Sequence, residues 1–163
     1  MDLWGLFSKE RAEAINNHLD ETYIEGTNDC DVWLQKVELE AYPESQLKET
    51  WGDAADLNAV GHHEKLKDKL KSRMNESGDY VVIQSVQTKK DKKGNKTGSY
   101  TPVHAFYASL NSDGSVDIAQ CTRNPEGGKK DGKGYSETVH YKDQDTFLND
   151  NWSKLEFYQL KNK

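Results

Sequence analysis

Cys30 is the residue of this chain whose type and position most directly suggest chemistry. It lies in the stretch GTNDCDVWLQKV, between a polar turn and a run of apolar residues at helical spacing. Unpaired N–H groups and the positive dipole end of a helix favour a thiolate and lower the pKa of a cysteine placed there. Cys30 is therefore a candidate nucleophile. The alternative is an inert cysteine that packs with Leu34 and Val37, and a cysteine considered alone favours this alternative.

A thiol nucleophile needs a base that accepts and returns a proton near neutral pH, and histidine meets this need. His104 stands out because it lies in TPVHAFYASL, a predicted strand of mainly apolar and aromatic residues, where a polar ring requires a partner. A core histidine without chemistry is the alternative. His18, His62 and His63 are predicted at the surface, and His140 lies mid-strand in ETVHYK.

The next predicted strand, SVDIAQC, offers three groups that could orient the imidazole ring of His104. Side chains alternate along a strand, so Asp117 and Cys121 share one face and Gln120 lies on the other. Asp117 could instead be an acid that faces solvent. The sequence leaves the choice among the three open.

Metal binding and anion binding are the competing chemistries. The segment GHHEKLKD offers two adjacent histidines, but adjacent residues of a helix point about 100° apart and make poor co-ligands. The HExxH and paired CxxC patterns are missing, so we predict no metal and no other cofactor. The lysine-rich segments KKDKKGNK and GGKKDGKG are predicted as solvated loops that could also hold an anionic partner.

Length and composition predict one folded domain over residues 1–163. The chain is 34% hydrophobic and 31% charged, and its aromatic residues supply core material. A net charge of −6 argues against general nucleic-acid binding. The chain contains no run of eighteen apolar residues, so no membrane span is predicted. The N-terminal MDLWGLFSKERAEA lacks the apolar region of a signal peptide. We therefore expect synthesis in the cytoplasm without such a signal.

Periodicity predicts helices in the first half and strands in the second. The predicted helices are Ser8–Glu25, Cys30–Tyr42 with Thr27, Asn28 or Asp29 as the cap and Pro43 after its end, and Leu57–Met74. The predicted strands are DYVVIQSVQT, SYTPVHAFYASL, SVDIAQCT, YSETVHYK and KLEFYQLK, with DQDTFLNDNW as a short helix or turn. This order predicts an α+β fold, with helices packed on one side of an antiparallel meander.

Three segments, in this order, resemble the papain-like amidases of the NlpC superfamily. TYIEGTNDCDVWLQKVELEA resembles the segment in which a turn leads into the nucleophile helix, and SGDYVVIQ resembles the strand that follows. TPVHAFYASLNSDGSVDIAQC resembles the histidine strand, a glycine turn and the strand of the third polar residue. The likeness is closest to the type VI secretion amidase effectors, the Tae toxins, whose turn resembles YIEGT. It covers roughly residues 15–124.

The resemblance implies a papain-like (NlpC-type) fold and a cysteine peptidase or amidase that cuts the peptide stems of peptidoglycan. It implies a secreted antibacterial toxin that acts in the periplasm of the target cell and is inhibited by an immunity protein. Cys30 would be the nucleophile and His104 the general base. The third catalytic position would be Asp117, Gln120 or Cys121, and the substrate-binding residues beside the nucleophile would be Asp29, Asp31 and Trp33.

The chain departs from the family pattern beside both catalytic positions. Asp31 and Val32 follow the cysteine where small residues are usual, and Val103 precedes the histidine where glycine or serine is usual. Two alternatives stay open. The first is the same fold acting on a protein, as an acyltransferase or deamidase. The second is a non-enzymatic binding module in which Cys30 is structural.

Overall fold

A computed structural model describes residues 7–43, 63–65, 73–90, 92–150 and 154–160 of the chain. Helices precede most of the strands, which confirms the α+β class. No helix in this part of the chain is both long and apolar enough to cross a membrane. The elements are α1 (Lys9–Asn17), α2 (Cys30–Ala41), β1 (His63–Lys65), β2 (Gly78–Lys90), β3 (Lys96–Leu110), β4 (Val116–Thr122), β5 (Tyr135–Tyr141), α3 (Gln144–Asp150) and β6 (Lys154–Leu160).

The described strands form one antiparallel sheet in the order β1-β6-β2-β3-β4-β5. Strands β2 to β5 follow one another as the predicted meander. The last strand departs from it, because β6 crosses back to pair with β2 and thereby separates β2 from β1. Strands β2 and β3, the two longest of the described strands, lie in the middle of the sheet, and β5 lies at one edge.

Alternating side chains of the sheet build two apolar layers. On one face, Val81 and Tyr107 pack with Trp33 and other residues of α1 and α2. On the opposite face, Phe106 packs with Phe147 of α3, with ring centroids 6.2 Å apart. The prediction that helices cover a single side is therefore right for α1 and α2 and wrong for α3.

Helix α1 begins as predicted and ends earlier. The Ser8 hydroxyl caps it by accepting a hydrogen bond from the Arg11 N–H. The helix stops at Asn17, whereas the apolar spacing predicted an end at Glu25. The following residues run along the edge of β5, where the Tyr23 N–H donates to the Gly134 carbonyl at 2.9 Å. Backbone pairing with a distant strand thus replaces the last predicted turns of the helix.

The predicted helix Leu57–Met74 lies mostly outside the described residues. Within it, His63–Lys65 forms β1 and pairs with β6, so the helix prediction is wrong at those three positions. Met74 is buried and belongs to the layer that contains α3.

A buried ion network fixes α1 and α2 against the sheet. The Arg11 guanidinium donates to Glu38 of α2 at 2.8 Å and to Asp79 of β2 at 2.9 Å. The Tyr107 hydroxyl of β3 donates to the same Glu38 carboxylate at 2.8 Å. Buried charges persist only where they are paired in this way. The network joins the helix that begins at Cys30 to the strand that carries His104.

Candidate functional site

Cys30 is the first residue of α2 because Asp29 caps that helix. One oxygen of the Asp29 carboxylate accepts the Val32 N–H at 3.3 Å, and the other accepts the Gly26 N–H at 2.9 Å. Asp29 is therefore the cap among the three residues that the sequence allowed. Its two bonds tie the turn before the helix to the first helical turn, which fixes the direction in which Cys30 leaves the backbone.

The Cys30 side chain is buried against β3. The pairing of β3 with β4 runs from Tyr107 to Leu110, and Ala105 lies beyond its end. There, the backbone N–H of Ala105 hydrogen-bonds to the Cys30 sulfur, as does the N–H of Asp31. Because Ala105 directly follows His104, the sulfur lies next to the backbone of the strand that carries the candidate base.

The environment of Cys30 favours the thiol over the thiolate. Burial raises the pKa of Cys30 to about 11, and the charges of Asp31 and Asp29 add to the rise. The two backbone N–H donors act in the opposite direction without offsetting it. The expectation of a lowered pKa is therefore wrong, because desolvation and two neighbouring acids outweigh the favourable groups at the helix start.

His104 is bonded to Gln120 across β3 and β4. Its Nε2 lies 2.8 Å from Gln120 Oε1, and its ring stacks on Phe106 with centroids 5.3 Å apart. Burial lowers the pKa of His104, while the bond to Gln120 acts in the opposite direction. His104 is therefore neutral at neutral pH, and Gln120 is the one of the three predicted orienting groups that contacts it.

Asp117 lies elsewhere. One of its carboxylate oxygens accepts from Asn111 at 2.6 Å, and the other lies 2.8 Å from Nδ1 of the exposed His140. Its strand alternation places it on the face opposite Gln120. Asp117 holds the turn between β3 and β4, and the prediction that it could orient the imidazole of His104 is wrong.

Cys121 is also outside the site. It is fully buried in the layer beneath α1 and α2, and its thiol donates to the Asn28 carbonyl at 3.3 Å. Burial raises the pKa of Cys121 to about 12. Both cysteines are free thiols. Cys121 therefore anchors the turn before α2 and does not contact the imidazole of His104.

Cys30 and His104 line one open cavity of about 640 Å³. Asp29 and Asp31, two of the three predicted substrate-binding residues, also line it. Trp33 does not, because its ring is fully buried and its indole N–H donates to the His18 carbonyl at 3.0 Å. The other lining residues are Tyr23, Glu25, Gln84, Val103, Phe106, Ile118, Gln120, Thr122, Arg123, Asn124, Glu126 and Tyr141.

Asp29 and Asp31 form a hydrogen-bonded carboxyl pair on either side of Cys30. Burial raises the pKa of Asp31 to about 7, and the hydrogen bond and charge of Asp29 add to the rise. The pair therefore gains or loses one proton near neutral pH. The sequence Asp29-Cys30-Asp31 contains both acids, but only the structure shows that the two carboxyl groups contact each other.

Several cavity residues were missed by sequence reasoning because they lie after β4. Arg123 pairs with Glu25 at 2.7 Å and lies over the Tyr23 ring, 5.6 Å from its centroid. Behind the cavity wall, Glu137 of β5 accepts a hydrogen bond from Gln120. The alternation in YSETVHYK was a signal for Glu137, since it marks which side chains of β5 share a face.

Comparison with known proteins identifies no relative. No family model, no curated protein and no solved structure matches the chain. The cavity itself brings together a buried thiol, a neutral imidazole and an amide. In the described part of the chain, no three His, Cys, Asp or Glu side chains are grouped so that they could hold a metal ion.

Proposed function

We propose that the chain is a cysteine amidase or peptidase in which Cys30 is the nucleophile and His104 the general base. The observation that carries the proposal is the His104–Gln120 bond at 2.8 Å in the cavity that Cys30 also lines. A nucleophile, a base and a group that orients the base are the three parts that acyl transfer through a thiol requires.

In the proposed reaction, the resting pair is a neutral thiol and a neutral imidazole. His104 takes the thiol proton as the Cys30 sulfur attacks the amide carbonyl, and backbone N–H groups at the start of α2 stabilise the oxyanion. The imidazolium then protonates the leaving amine, which leaves a thioester. His104 next removes a proton from water, and the attack of the resulting hydroxide on the thioester expels the Cys30 sulfur and releases the acid. The imidazolium returns its proton to that sulfur, which restores the thiol and the neutral imidazole. The Gln120 carbonyl holds the imidazole N–H throughout.

The proposed substrate is the peptide stem of peptidoglycan, and the proposed biological role is that of an antibacterial effector. The support is the resemblance of the Cys30, SGDYVVIQ and His104 segments to papain-like secretion effectors. The proposal includes export without an N-terminal signal, action in the periplasm of a target cell, and an immunity protein as inhibitor. The papain-like fold itself is part of the proposal.

The test is digestion of purified peptidoglycan, with product masses read by mass spectrometry. We expect the wild type to release stem fragments and the Cys30→Ala and His104→Ala variants to lose at least 1,000-fold in rate, on the order of what a nucleophile or base contributes. The matched controls are Cys121→Ser, which keeps a donor to Asn28, and His140→Gln on the surface. Full activity in either active-site variant would contradict the assignment.

A non-enzymatic binding module is the second candidate, and the raised pKa of Cys30 favours it. On this reading the buried thiol only packs the start of α2. The same digestion separates the two candidates, because a module predicts no product from the wild type. A third outcome, activity on proteins without activity on peptidoglycan, would keep the Cys30–His104 chemistry and change the substrate.

A further inference from the structure

A carboxylate lies directly behind the residue that holds His104. Gln120 of β4 and Glu137 of β5 face each other across the two strands. The Gln120 Nε2 amide donates to Glu137 Oε2 at 2.8 Å, and the backbone N–H of Glu126 donates to the same oxygen at 3.0 Å. Glu137 thus contacts the end of the Gln120 amide that does not contact His104.

The donor and acceptor types along this chain of contacts permit only one arrangement. An ionised carboxylate only accepts hydrogen bonds, so the NH₂ end of Gln120 must point to Glu137. The carbonyl end of Gln120 then points to His104 and also only accepts. His104 must therefore carry its proton on Nε2, and the lone pair of the neutral ring lies on Nδ1.

We propose that Glu137 is a positioning residue that fixes the orientation of the Gln120 amide and, through it, the tautomer of His104. The inference rests on the proposed function, because the tautomer matters to catalysis only if His104 takes a proton from Cys30. Without the carboxylate, the Gln120 amide can turn round and present its NH₂ group. His104 then becomes the acceptor at Nε2, and its proton moves to Nδ1, the nitrogen that must accept one.

A purely structural role for Glu137 is the competing explanation, because its second contact holds the loop at the cavity rim. Glu126 occupies the second position of a turn that the Gly128 N–H closes onto the Pro125 carbonyl at 3.0 Å. Proline is favoured at this position of a turn. The Glu126→Pro variant therefore removes the N–H that contacts Glu137 while the Gln120–Glu137 bond stays.

The direct test is ¹⁵N NMR of the His104 ring in the free protein, which needs no substrate. We expect the wild type and Glu126→Pro to show one tautomer, with the proton on Nε2. We expect Glu137→Met to show a mixture, with the ratio of Nε2–H to Nδ1–H lowered at least tenfold. A single Nε2–H tautomer in Glu137→Met, or a mixture in Glu126→Pro equal to that in Glu137→Met, would overturn the inference.

Hydrolysis kinetics supply the second readout, in variants that exchange the amide of Gln120 and the carboxylate of Glu137. Gln120→Glu alone places two carboxylates against each other, and we expect kcat to fall 10- to 100-fold, the range typical of residues that orient a ligand. One Glu137 oxygen accepts both the Gln120 amide and the Glu126 N–H, so the exchange is made in the Glu126→Pro background, which lacks that N–H. There, the double variant Gln120→Glu, Glu137→Gln restores one donor and one acceptor at that contact. We expect its kcat to recover to within tenfold of that of Glu126→Pro alone, with KM unchanged within twofold.

The two readouts separate this inference from the proposed function. If the double variant recovers no activity and Glu137→Met keeps the wild-type tautomer, the role of Glu137 is refuted while Cys30–His104 catalysis stands. If the wild type hydrolyses nothing yet Glu137→Met shifts the tautomer, catalysis is refuted and the control of His104 by Glu137 stands. Melting temperatures of all variants confirm that each one is folded when it is measured.

Discussion

The pH dependence of Cys30 alkylation tests the electrostatics of the site most directly. With a pKa of about 11, the thiolate fraction at pH 7 is about 10⁻⁴, because each pH unit below the pKa lowers it tenfold. A free cysteine with a pKa of about 8.5 has a thiolate fraction of about 3% at the same pH. We therefore expect Cys30 to react with iodoacetamide about 300-fold more slowly than a cysteine peptide at pH 7.

Asp31→Asn should accelerate this reaction only where Asp31 is ionised. The Asp31 charge is one cause of the raised pKa of Cys30, and the pKa of Asp31 itself is about 7. Removal of a neighbouring unit charge changes a pKa by about 1 unit, which is about tenfold in thiolate. We expect alkylation about tenfold faster than in the wild type at pH 9, and equal rates below pH 6, where the wild-type Asp31 is protonated.

The assay uses the Cys121→Ser background, so that the chain has a single thiol, and follows the mass increase by mass spectrometry between pH 5 and pH 10. His104→Ala is the control, because a neutral thiol–imidazole pair predicts nearly the same profile without the histidine. Two results would refute the reasoning. One is a plateau of fast alkylation below pH 7 that His104→Ala abolishes, which indicates a thiolate–imidazolium pair. The other is a constant ratio of Asp31→Asn to wild type at every pH.

Three further predictions concern the scaffold. Arg11→Met leaves Glu38 buried without its ion partner, so we expect the free energy of unfolding in urea to fall by about 3–5 kcal/mol; a loss below about 1 kcal/mol would contradict the network. Gly134→Ala would push a Cβ into the backbone of Thr122, and we expect a loss of about 1–3 kcal/mol and a lower melting temperature. Burial opposes a rise in the pKa of His18, but its hydrogen bonds to two glutamates raise it overall, so its stabilisation is present below about pH 6.5 and is lost as pH rises through the raised value. Urea titrations should therefore show a larger deficit for His18→Gln at pH 5.5 than at pH 8.5, and parallel profiles would refute this.

The elements that local physics specifies were predictable, and those that distant pairing specifies were not. Asp29 and the spacing after Cys30 are enough to start α2, and the alternation of YSETVHYK is enough to identify β5. The end of α1 was missed because the residues after it pair with β5, more than 100 positions away in the chain, as in the bridge between Thr22 and Tyr135. No local pattern encodes that contact. The return of β6 to β2 was missed for the same reason.

At the site, the sequence identified the candidate residues, and the strand register decided which of them contacts His104. Asp117, Gln120 and Cys121 were equal candidates until the pairing of β3 with β4 placed Gln120 beside His104. The burial of Trp33, by contrast, could have been predicted from the sequence. It lies four residues before Val37, and residues four apart share one face of a helix, so its place in the core could have been inferred.

The raised pKa of Cys30 does not by itself exclude catalysis, and the energies show why. With Cys30 at about 11 and His104 below its ordinary 6.5, the pKa gap is at least 4.5 units (11 − 6.5), and transfer of the proton is uphill by about 6 kcal/mol or more. A turnover of one per second corresponds to a barrier of about 17 kcal/mol. Proton transfer thus accounts for about a third of that barrier and leaves the rest for attack on the carbonyl. A thiol that ionises only as it attacks, with a histidine whose tautomer is fixed to receive the proton, is therefore the form of catalysis that we propose for this site.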